Sequence, residues 1–114
     1  MSAPCIFCRI AAKEIPSEFV YEDGDIVAFR DLNPQAPTHV LVIPRRHLAS
    51  LDEAEAADAK LLGALLLAAK AVASREGLAG GYRVVTNIGP DGGQSVSHVH
   101  LHVLGARPMA WPPG

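Results

Sequence analysis

The chain has 114 residues, enough for one domain with a single core and too few for two. Hydrophobic residues make up 49% and charged residues 19%, which excludes an intrinsically disordered chain. The formal net charge is −2 and there is no basic run, which argues against nucleic acid as a partner. A small anionic ligand would have to be held by local donors.

The chain contains no segment typical of export or of a membrane anchor. Its first residues hold no long apolar signal segment, and the longest apolar run, 61–69, is too short to span a bilayer. We therefore expect a cytoplasmic protein without membrane association. Cys5 and Cys8 are only three residues apart, and in a cytosolic protein such a pair is more often metal-binding or redox-active than a structural disulfide.

The first half of the chain predicts a short helix and three strands. Apolar residues between Cys5 and Lys13 recur with helical spacing, and Pro16 ends that pattern. Strands over 19–22 and 26–30 flank an Asp-Gly turn, and a third strand over 39–43 follows the proline-containing loop 31–37.

The second half predicts one long helix and two more strands. The helix begins at the capping box 50–53 and ends at Gly77. Strands over 82–87 and 98–104 follow, and the proline-rich end, 107–114, predicts no regular structure. The expected fold class is α+β, a single domain over 1–114 with the long helix covering one face of the sheet. The apolar stripe of the helix comprises Leu61, Leu62, Leu65, Leu66, Ala69, Val72 and Ala73.

The strand over 98–104 carries the unusual chemistry. His98, His100 and His102 alternate with aliphatic residues, so an extended backbone would place three imidazoles on one face. A neutral imidazole is a nucleophile and proton carrier near pH 7. The loop before it supplies glycines that let backbone N–H groups converge, and Gln94 and Ser95 add polar side chains. Together these features predict phosphoryl or nucleotidyl transfer through a phospho-histidine.

Other interpretations of the same residues remain open. The three histidines could be purely structural, and Gly92-Gly93 could be a simple turn. A His-x-His strand can also supply two ligands to a catalytic zinc. No Asp or Glu at matching spacing is present as a third ligand or a general base, which weighs against that alternative.

The residues from His98 to Leu104 resemble the signature of the histidine triad (HIT) superfamily, in which three histidines alternate with apolar residues. The segments 31–39, 92–95 and 111–114 add to the resemblance, which covers nearly the whole chain and points to the Hint branch, the histidine triad nucleotide-binding proteins.

The resemblance implies both a fold and an activity. The HIT-like fold is a five-stranded antiparallel sheet with one long and one short helix, and two copies pair into a homodimer with a continuous ten-stranded sheet. The tail over 108–114 would lie near the partner's site. The activity would be that of a purine nucleoside phosphoramidase, which hydrolyses the P–N bond of adenosine 5′-monophosphoramidates to release AMP, with no cofactor needed for catalysis.

The resemblance also assigns roles residue by residue. His100 would be the nucleophile that takes the nucleotidyl group, with His102 at the phosphate and His39 orienting the triad. Ser95 would hydrogen-bond the leaving-group nitrogen. The other nucleotide-binding positions would hold the phosphate (Asn87, Gln94), bind the ribose hydroxyls (Asp31), wall the base (Phe7, Ile10, Phe29, Leu32) or lie near the partner subunit's site (Trp111).

Several of these positions have simpler explanations. The apolar wall residues would be buried in almost any fold, Asp31 and Asn87 could be turn or cap residues, and Trp111 could be packing. Within the superfamily, His102 favours hydrolysis, since the nucleotidylyl transferases carry Gln there. The alternative functions are a dinucleoside polyphosphate hydrolase and a nucleotide-binding regulatory or scaffold protein with incidental turnover.

A second site is expected at the Cys-x-x-Cys pair. Two thiolates at close spacing and two histidines are a common structural zinc set, and similar bacterial members of the family carry zinc in this way. His47 and His98 remain outside the core mechanism, so Cys5, Cys8, His47 and His98 are the predicted ligands of one structural Zn²⁺. The alternative is a pair of reduced thiols packed beside Phe7.

Overall fold

The computed structural model describes residues 5–114, which form two α-helices, five strands and two short 3₁₀ turns. The elements in chain order are α1 (Ile6–Ala11), β1 (Phe19–Glu22), β2 (Ile26–Arg30), β3 (Thr38–Pro44), the 3₁₀ turns Leu51–Glu53 and Ala56–Asp58, α2 (Ala59–Arg75), β4 (Tyr82–Val85) and β5 (Leu101–Gly105).

The five strands form one antiparallel sheet in the order β1-β2-β3-β5-β4. The central strand β3 is buried along its whole length, whereas the edge strand β4 alternates between exposed and half-buried residues. One sheet with one long and one short helix confirms the predicted fold class.

Alternation along the strands divides the core between the two faces of the sheet. On one face, Ala28, Val42 and Val103 pack with Leu65 and Val72 of α2. The opposite face is covered by the short helix α1, whose buried residues pack on the intervening strand positions. That second cluster comprises Phe7, Ile10, Ala11, Val27, Phe29, Leu41 and Ile43.

The helix α1 is held by its surroundings rather than by its own propensity. It is only six residues long, and a helix of that length is not stable alone in water. The Cys5 Sγ caps it by accepting a hydrogen bond from the Cys8 backbone N–H at 3.4 Å. Phe7 and Ile10 anchor it to the sheet.

The long helix begins later than predicted. Ser50 caps a 3₁₀ turn, with its hydroxyl accepting from the Asp52 N–H at 3.1 Å. The backbone is extended at Ala54, and a capping box between Glu55 and Asp58 precedes α2. The predicted apolar stripe is correct for Leu65, Ala69, Val72 and Ala73, but Leu66 is 59% exposed.

The last two strands are shorter than predicted. β4 ends at Val85 rather than at residue 87, and β5 begins at Leu101 rather than at His98. His98 and His100 therefore precede the strand. The side chain of His98 contacts Cys5 and Cys8, whereas that of His100 lines a cavity. No helix between residue 5 and the C-terminus is long and apolar enough to cross a membrane.

Candidate active site

His100 is buried at the entry to β5, and its ring orientation is set by the backbone. Its Nδ1 lies 2.7 Å from the carbonyl oxygen of His98. Because a carbonyl oxygen only accepts, Nδ1 carries the proton and Nε2 keeps its lone pair. A neutral imidazole in this tautomer presents Nε2 as a nucleophile.

His39 and His102 form a hydrogen-bonded chain beside it. The backbone N–H of Gln35 donates to His39 Nδ1 at 3.0 Å, so the proton of the neutral His39 ring is on Nε2. That Nε2 lies 2.8 Å from His102 Nδ1 and donates to it. The remaining proton of His102 is therefore on its Nε2, which is buried and has no hydrogen-bond partner among residues 5–114. An unpaired buried donor of this kind is suited to an anionic oxygen of a ligand.

The surroundings keep this chain neutral. Burial lowers the pKa of His102 to about 4, with the neighbouring His100 and His39 acting in the same direction. Burial also lowers the pKa of His39, and the carboxylate of Asp31, 3.4 Å from its Nε2, only partly opposes this. Near pH 7 both rings are therefore neutral, as the chain of donors and acceptors requires.

A cavity of about 220 Å³ opens in front of the histidines. Its lining brings together His100, His102 and Ser95 at one part and the predicted base wall at another. Phe7 stands edge-on to both His100 and Phe29, at ring-centroid distances of 5.0 and 5.6 Å. The complete lining is Ile6, Phe7, Ile10, Ser17, Phe29, Arg30, Asp31, Leu32, Leu41, Ser95, Val96, His100 and His102.

The glycine loop differs from the predicted anion cradle. The N–H groups of Gly89, Gly93 and Gln94 are bonded within the loop, to Gln94 Oε1, Pro90 O and Gly89 O. The Gln94 amide also donates to the carbonyl oxygens of Ala49 and Val96, at 2.7 and 2.9 Å. These bonds fix the loop that carries Ser95, while the predicted phosphate contact of Gln94 stays a prediction.

Two further predicted positions lie away from the cavity lining. Asn87 is half-buried on the connection after β4, and Trp111 is 82% exposed in the tail. Sequence reasoning did not single out Ser17, Leu41 or Val96, which do line the cavity. Leu41 lies there because it pairs directly with His102 across β3 and β5, a register that the sequence alone does not give.

The fold brings a carboxylate to the histidines that sequence spacing did not reveal. Oxygen and nitrogen atoms of Asp31, His39 and His102 lie within 4.8 Å of one another. The 2.8 Å separation between His39 Nε2 and His102 Nδ1 is, however, a hydrogen-bond distance. Two nitrogen ligands of a tetrahedral zinc lie about 3.3 Å apart, given Zn–N bonds of about 2.0 Å. The geometry therefore favours the hydrogen-bonded chain over a metal at these three residues.

The four predicted zinc ligands converge in a second cluster. The Cys8 Sγ lies 3.4 Å from His47 Nδ1 and 3.5 Å from His98 Nδ1, and the Cys5 Sγ lies 3.3 Å from His98 Nδ1. The two Nδ1 atoms are 3.2 Å apart. Sulfur and nitrogen ligands of a tetrahedral zinc would lie about 3.3–3.8 Å from one another, so this donor set fits the ion.

The protonation of the cluster also suits a metal. His98 Nε2 lies 2.8 Å from the Pro44 carbonyl oxygen and must carry the ring proton, which leaves Nδ1 as a lone pair facing the thiols. Burial, together with the adjacent Cys5, raises the pKa of Cys8 to about 11. With this raised pKa the Cys8 thiol stays protonated near pH 7 unless a cation compensates the charge of its thiolate.

The structure combines a five-stranded antiparallel sheet, a long helix on one face, and clustered histidines at the start of β5. These features are those of the class of histidine triad proteins. The model of the HIT domain matches residues 12–109. The chain therefore belongs to the HIT family, and its relatives place it in the Hint branch.

Three relatives illustrate the match. The chain is 57% identical to a 14 kDa zinc-binding protein of Zea mays, over 98% of this chain and 89% of that one. It is 53% identical to the adenylylsulfatase HINT1 of Arabidopsis thaliana, over 98% and 78% of the two chains. It also superposes on the crystal structure of a HIT family hydrolase from Legionella pneumophila with a TM-score of 0.95, at 52% identity, covering 97% of this chain and 100% of that one.

Proposed function

We propose that the protein is a purine nucleotide hydrolase that cleaves the P–N bond of adenosine 5′-monophosphoramidates to give AMP. The observation that carries the proposal is the pair of ring nitrogens at the cavity. His100 offers an unprotonated Nε2, and His102 offers an unpaired Nε2–H beside it. A nucleophile next to a donor for an anionic oxygen is the arrangement that transfer of a nucleotidyl group requires.

The reaction would proceed in two steps. In the first, His100 Nε2 attacks phosphorus and the P–N bond breaks, while the leaving nitrogen takes the hydroxyl proton of Ser95 and departs as the amine, and Ser95 regains a proton from solvent. His102 Nε2–H donates to a non-bridging oxygen of the phosphate. In the second, water attacks phosphorus, the bond between Nε2 and phosphorus breaks, AMP leaves and the proton of the water is released.

One hydrogen bond, from His100 Nδ1–H to the His98 carbonyl, serves the nucleophile in two ways. The 2.7 Å bond to the His98 carbonyl holds Nδ1–H in place, so only Nε2 is free to attack. The same bond is charge-assisted once Nε2 carries phosphorus and the ring becomes cationic, so it stabilises the intermediate more than the free enzyme. This interaction strengthens during the step it serves.

The nucleotide itself would lie along the cavity. Phe7, Ile10, Phe29 and Leu32 supply apolar surface for the base, and the Asp31 carboxylate can accept hydrogen bonds from the ribose hydroxyls. The Arabidopsis relative is named an adenylylsulfatase, so cleavage next to an adenylyl phosphorus is consistent with the same site.

The experiment combines turnover with trapping of the intermediate. Purified protein is incubated with adenosine 5′-monophosphoramidate, adenylyl sulfate and a dinucleoside polyphosphate, and release of AMP is followed. We expect the phosphoramidate to be hydrolysed, His100→Ala to abolish hydrolysis, and mass spectrometry of quenched reactions to place the adenylyl group on His100. Faster cleavage of the dinucleoside polyphosphate, or AMP trapped on another residue, would contradict the proposal. Tight AMP binding without turnover would favour a regulatory role.

We also propose that Cys5, Cys8, His47 and His98 bind one structural Zn²⁺. The spacing of the four donor atoms supports the ion, and the Zea mays relative is named as a zinc-binding protein. The ion would tie α1 to the segments after β3 and before β5. Metal analysis of purified protein should find one zinc per chain, and Cys8→Ser should lose it. A zinc-free wild-type protein would refute the assignment.

A homodimer is the third proposal, supported by the edge strand β4. Val84 pairs with Val103 and shares its face of the sheet, yet it is 37% exposed because α2 packs over β1, β2, β3 and β5. Tyr82, on the same face, is 42% exposed. An edge with exposed apolar side chains favours pairing with a second copy.

A further inference from the structure

We propose that Ser17 is the residue that recognises the six-position of the purine base, an inference that rests on the proposed function and extends it to base selection. Ser17 is half-buried and lines the cavity. The part of the lining expected to hold the base is otherwise formed by the apolar side chains of Phe7, Ile10, Phe29 and Leu32. A polar side chain in such a wall has a direct influence on which base edge is accepted.

The sheet places Ser17 far from the reacting atoms. His102 pairs with Leu41, Leu41 pairs with Phe29, and Phe29 pairs with Phe19, so one row crosses four strands. Three strand spacings of about 4.8 Å make this row about 14 Å long. Ser17 lies two residues before Phe19 and therefore at the end opposite His102. A nucleotide with its phosphorus at the histidines would point the far edge of its base toward this end.

The two carboxylate or guanidinium side chains of the lining, Arg30 and Asp31, are engaged elsewhere. The guanidinium of Arg30 bonds to Glu18 at 2.7 Å and to Glu76 at 2.6 and 3.1 Å, and it lies on the α2 side of the sheet. Asp31 accepts from the Asn33 N–H at 2.8 Å and approaches His39. The hydroxyl of Ser17 is therefore the polar side chain best placed for the base edge.

The position of Ser17 is fixed by its neighbours. Pro16 restricts the backbone on one side, and on the other the Glu18 carbonyl accepts from the Arg30 N–H at 3.0 Å, in register with β2. Ser17 also borders the surface depression that is lined by Lys13, Pro16 and Phe19. Ser17 thus lies between the cavity and this depression, at the rim where the base edge would meet solvent.

A hydroxyl group accepts as well as donates. It can accept a hydrogen bond from the exocyclic amino group of adenine or donate one to the exocyclic oxygen of guanine. Ser17 would therefore favour purines that carry a six-substituent over an unsubstituted purine, without separating adenine strongly from guanine. For one neutral hydrogen bond we expect an effect of about threefold to tenfold.

The test compares three phosphoramidate substrates whose bases are adenine, guanine and unsubstituted purine. Ser17→Ala should raise KM about threefold to tenfold for the first two substrates, with kcat unchanged, and should leave the third unaffected. Ser17→Thr keeps the hydroxyl and should restore the preference. Ser74→Ala, an exposed serine on α2, is the matched control that should behave as wild type. An equal effect on all three substrates, or none, would overturn the proposal.

A binding measurement separates this inference from the proposed reaction. Calorimetry with AMP, GMP and purine riboside 5′-monophosphate reports on Ser17 even if none of the phosphoramidates is turned over. Weaker binding of AMP and GMP alone by Ser17→Ala would support the inference. Unchanged binding would refute it while leaving the role of His100 intact.

Discussion

At the scale of single residues, backbone groups decide which nitrogen of each ring carries a proton. The His98 carbonyl fixes the proton of His100 on Nδ1, and the Gln35 N–H fixes that of His39 on Nε2. Through His39, the same N–H determines the tautomer of His102. Because backbone groups cannot change their protonation, they fix these tautomers for as long as the rings are neutral and the protein is folded.

The lowered pKa of His102 makes stability depend on pH. In the unfolded chain His102 titrates near its ordinary pKa of about 6.5, whereas in the folded protein its pKa is about 4. Between about pH 4 and pH 6.5 the unfolded chain binds more protons at His102 than the folded protein does. The free energy of unfolding therefore rises with pH in this range, and His102 adds nothing further above about pH 6.5. Urea titrations should show stability falling from about pH 6.5 to about pH 4.

His102→Gln isolates this contribution. The difference between the two pH profiles removes the contributions of groups distant from residue 102 and so reports on the imidazole. We expect the wild type to lose about 1–3 kcal/mol more than the variant between about pH 7 and pH 4. Parallel profiles would show that the ring titrates normally in the folded state.

At the scale of elements, the glycine loop is a scaffold for Ser95. A Cβ at Gly92 would overlap the backbone carbonyl of Ile88, so the turn closes only with glycine there. Gly92→Ala should destabilise the protein by about 1–3 kcal/mol and lower kcat/KM, because Ser95 follows three residues later. Thermal melts and turnover of the phosphoramidate measure the two effects.

Gly63→Ala is the matched control for that substitution. Gly63 lies inside α2, and a methyl group added to it would meet no atom within 4 Å outside its own helix backbone, so alanine fits without a clash. The change should stabilise the helix by up to about 1 kcal/mol and leave turnover unchanged. A Gly92→Ala protein as stable and active as Gly63→Ala would contradict the scaffold role.

The helix α1 joins the Cys–His cluster, the proposed zinc site, to the proposed wall for the base. Cys5 caps it and Cys8 lies within it, while Phe7 and Ile10 face the cavity. Removal of zinc should therefore lower the melting temperature by several degrees and raise KM for the phosphoramidate more than it lowers kcat. Melts and kinetics with and without a chelator measure this.

Cys8→Ser provides the control for chelation. The variant should already melt lower, and the chelator should change it no further, since the ligand set is incomplete. If chelation instead abolished kcat in the wild type with the fold intact, the metal would have to act in catalysis itself.

Strong local sequence patterns explain why the first three strands could be predicted from the sequence. The Asp-Gly turn and the apolar run of β3 specify their strands locally. The predicted start of α2 was wrong because Ser50 and Glu53 form an acceptable cap that a 3₁₀ turn uses, while Arg46 bonds to Asp58 at 2.7 Å at the true start. The approach of Asp31 to His39 depends on the loop between β2 and β3, which carries no periodic signal.

At the scale of the whole molecule, α2 covers four strands of the sheet and leaves the edge strand β4 exposed. The helix α2 leaves the strand β4 uncovered on its own side of the sheet, where Tyr82 and Val84 are exposed. The same helix exposes Leu66 and Leu67, at 59% and 68%. A second copy that extended the sheet at β4 would remove Tyr82 and Val84 from water, and we expect its helix to cover Leu66 and Leu67 as well.

Charged substitutions at this edge test the proposed homodimer. Sedimentation velocity should find a dimer for the wild type, and Val84→Asp combined with Leu67→Glu should give a folded monomer, because a carboxylate without a partner is costly in an apolar interface. Leu51→Glu places the same charge on an apolar side chain that is 40% exposed in the first 3₁₀ turn, away from β4, and should remain dimeric. A monomeric wild type, or a double variant that still sediments as a dimer, would show that β4 is not the interface.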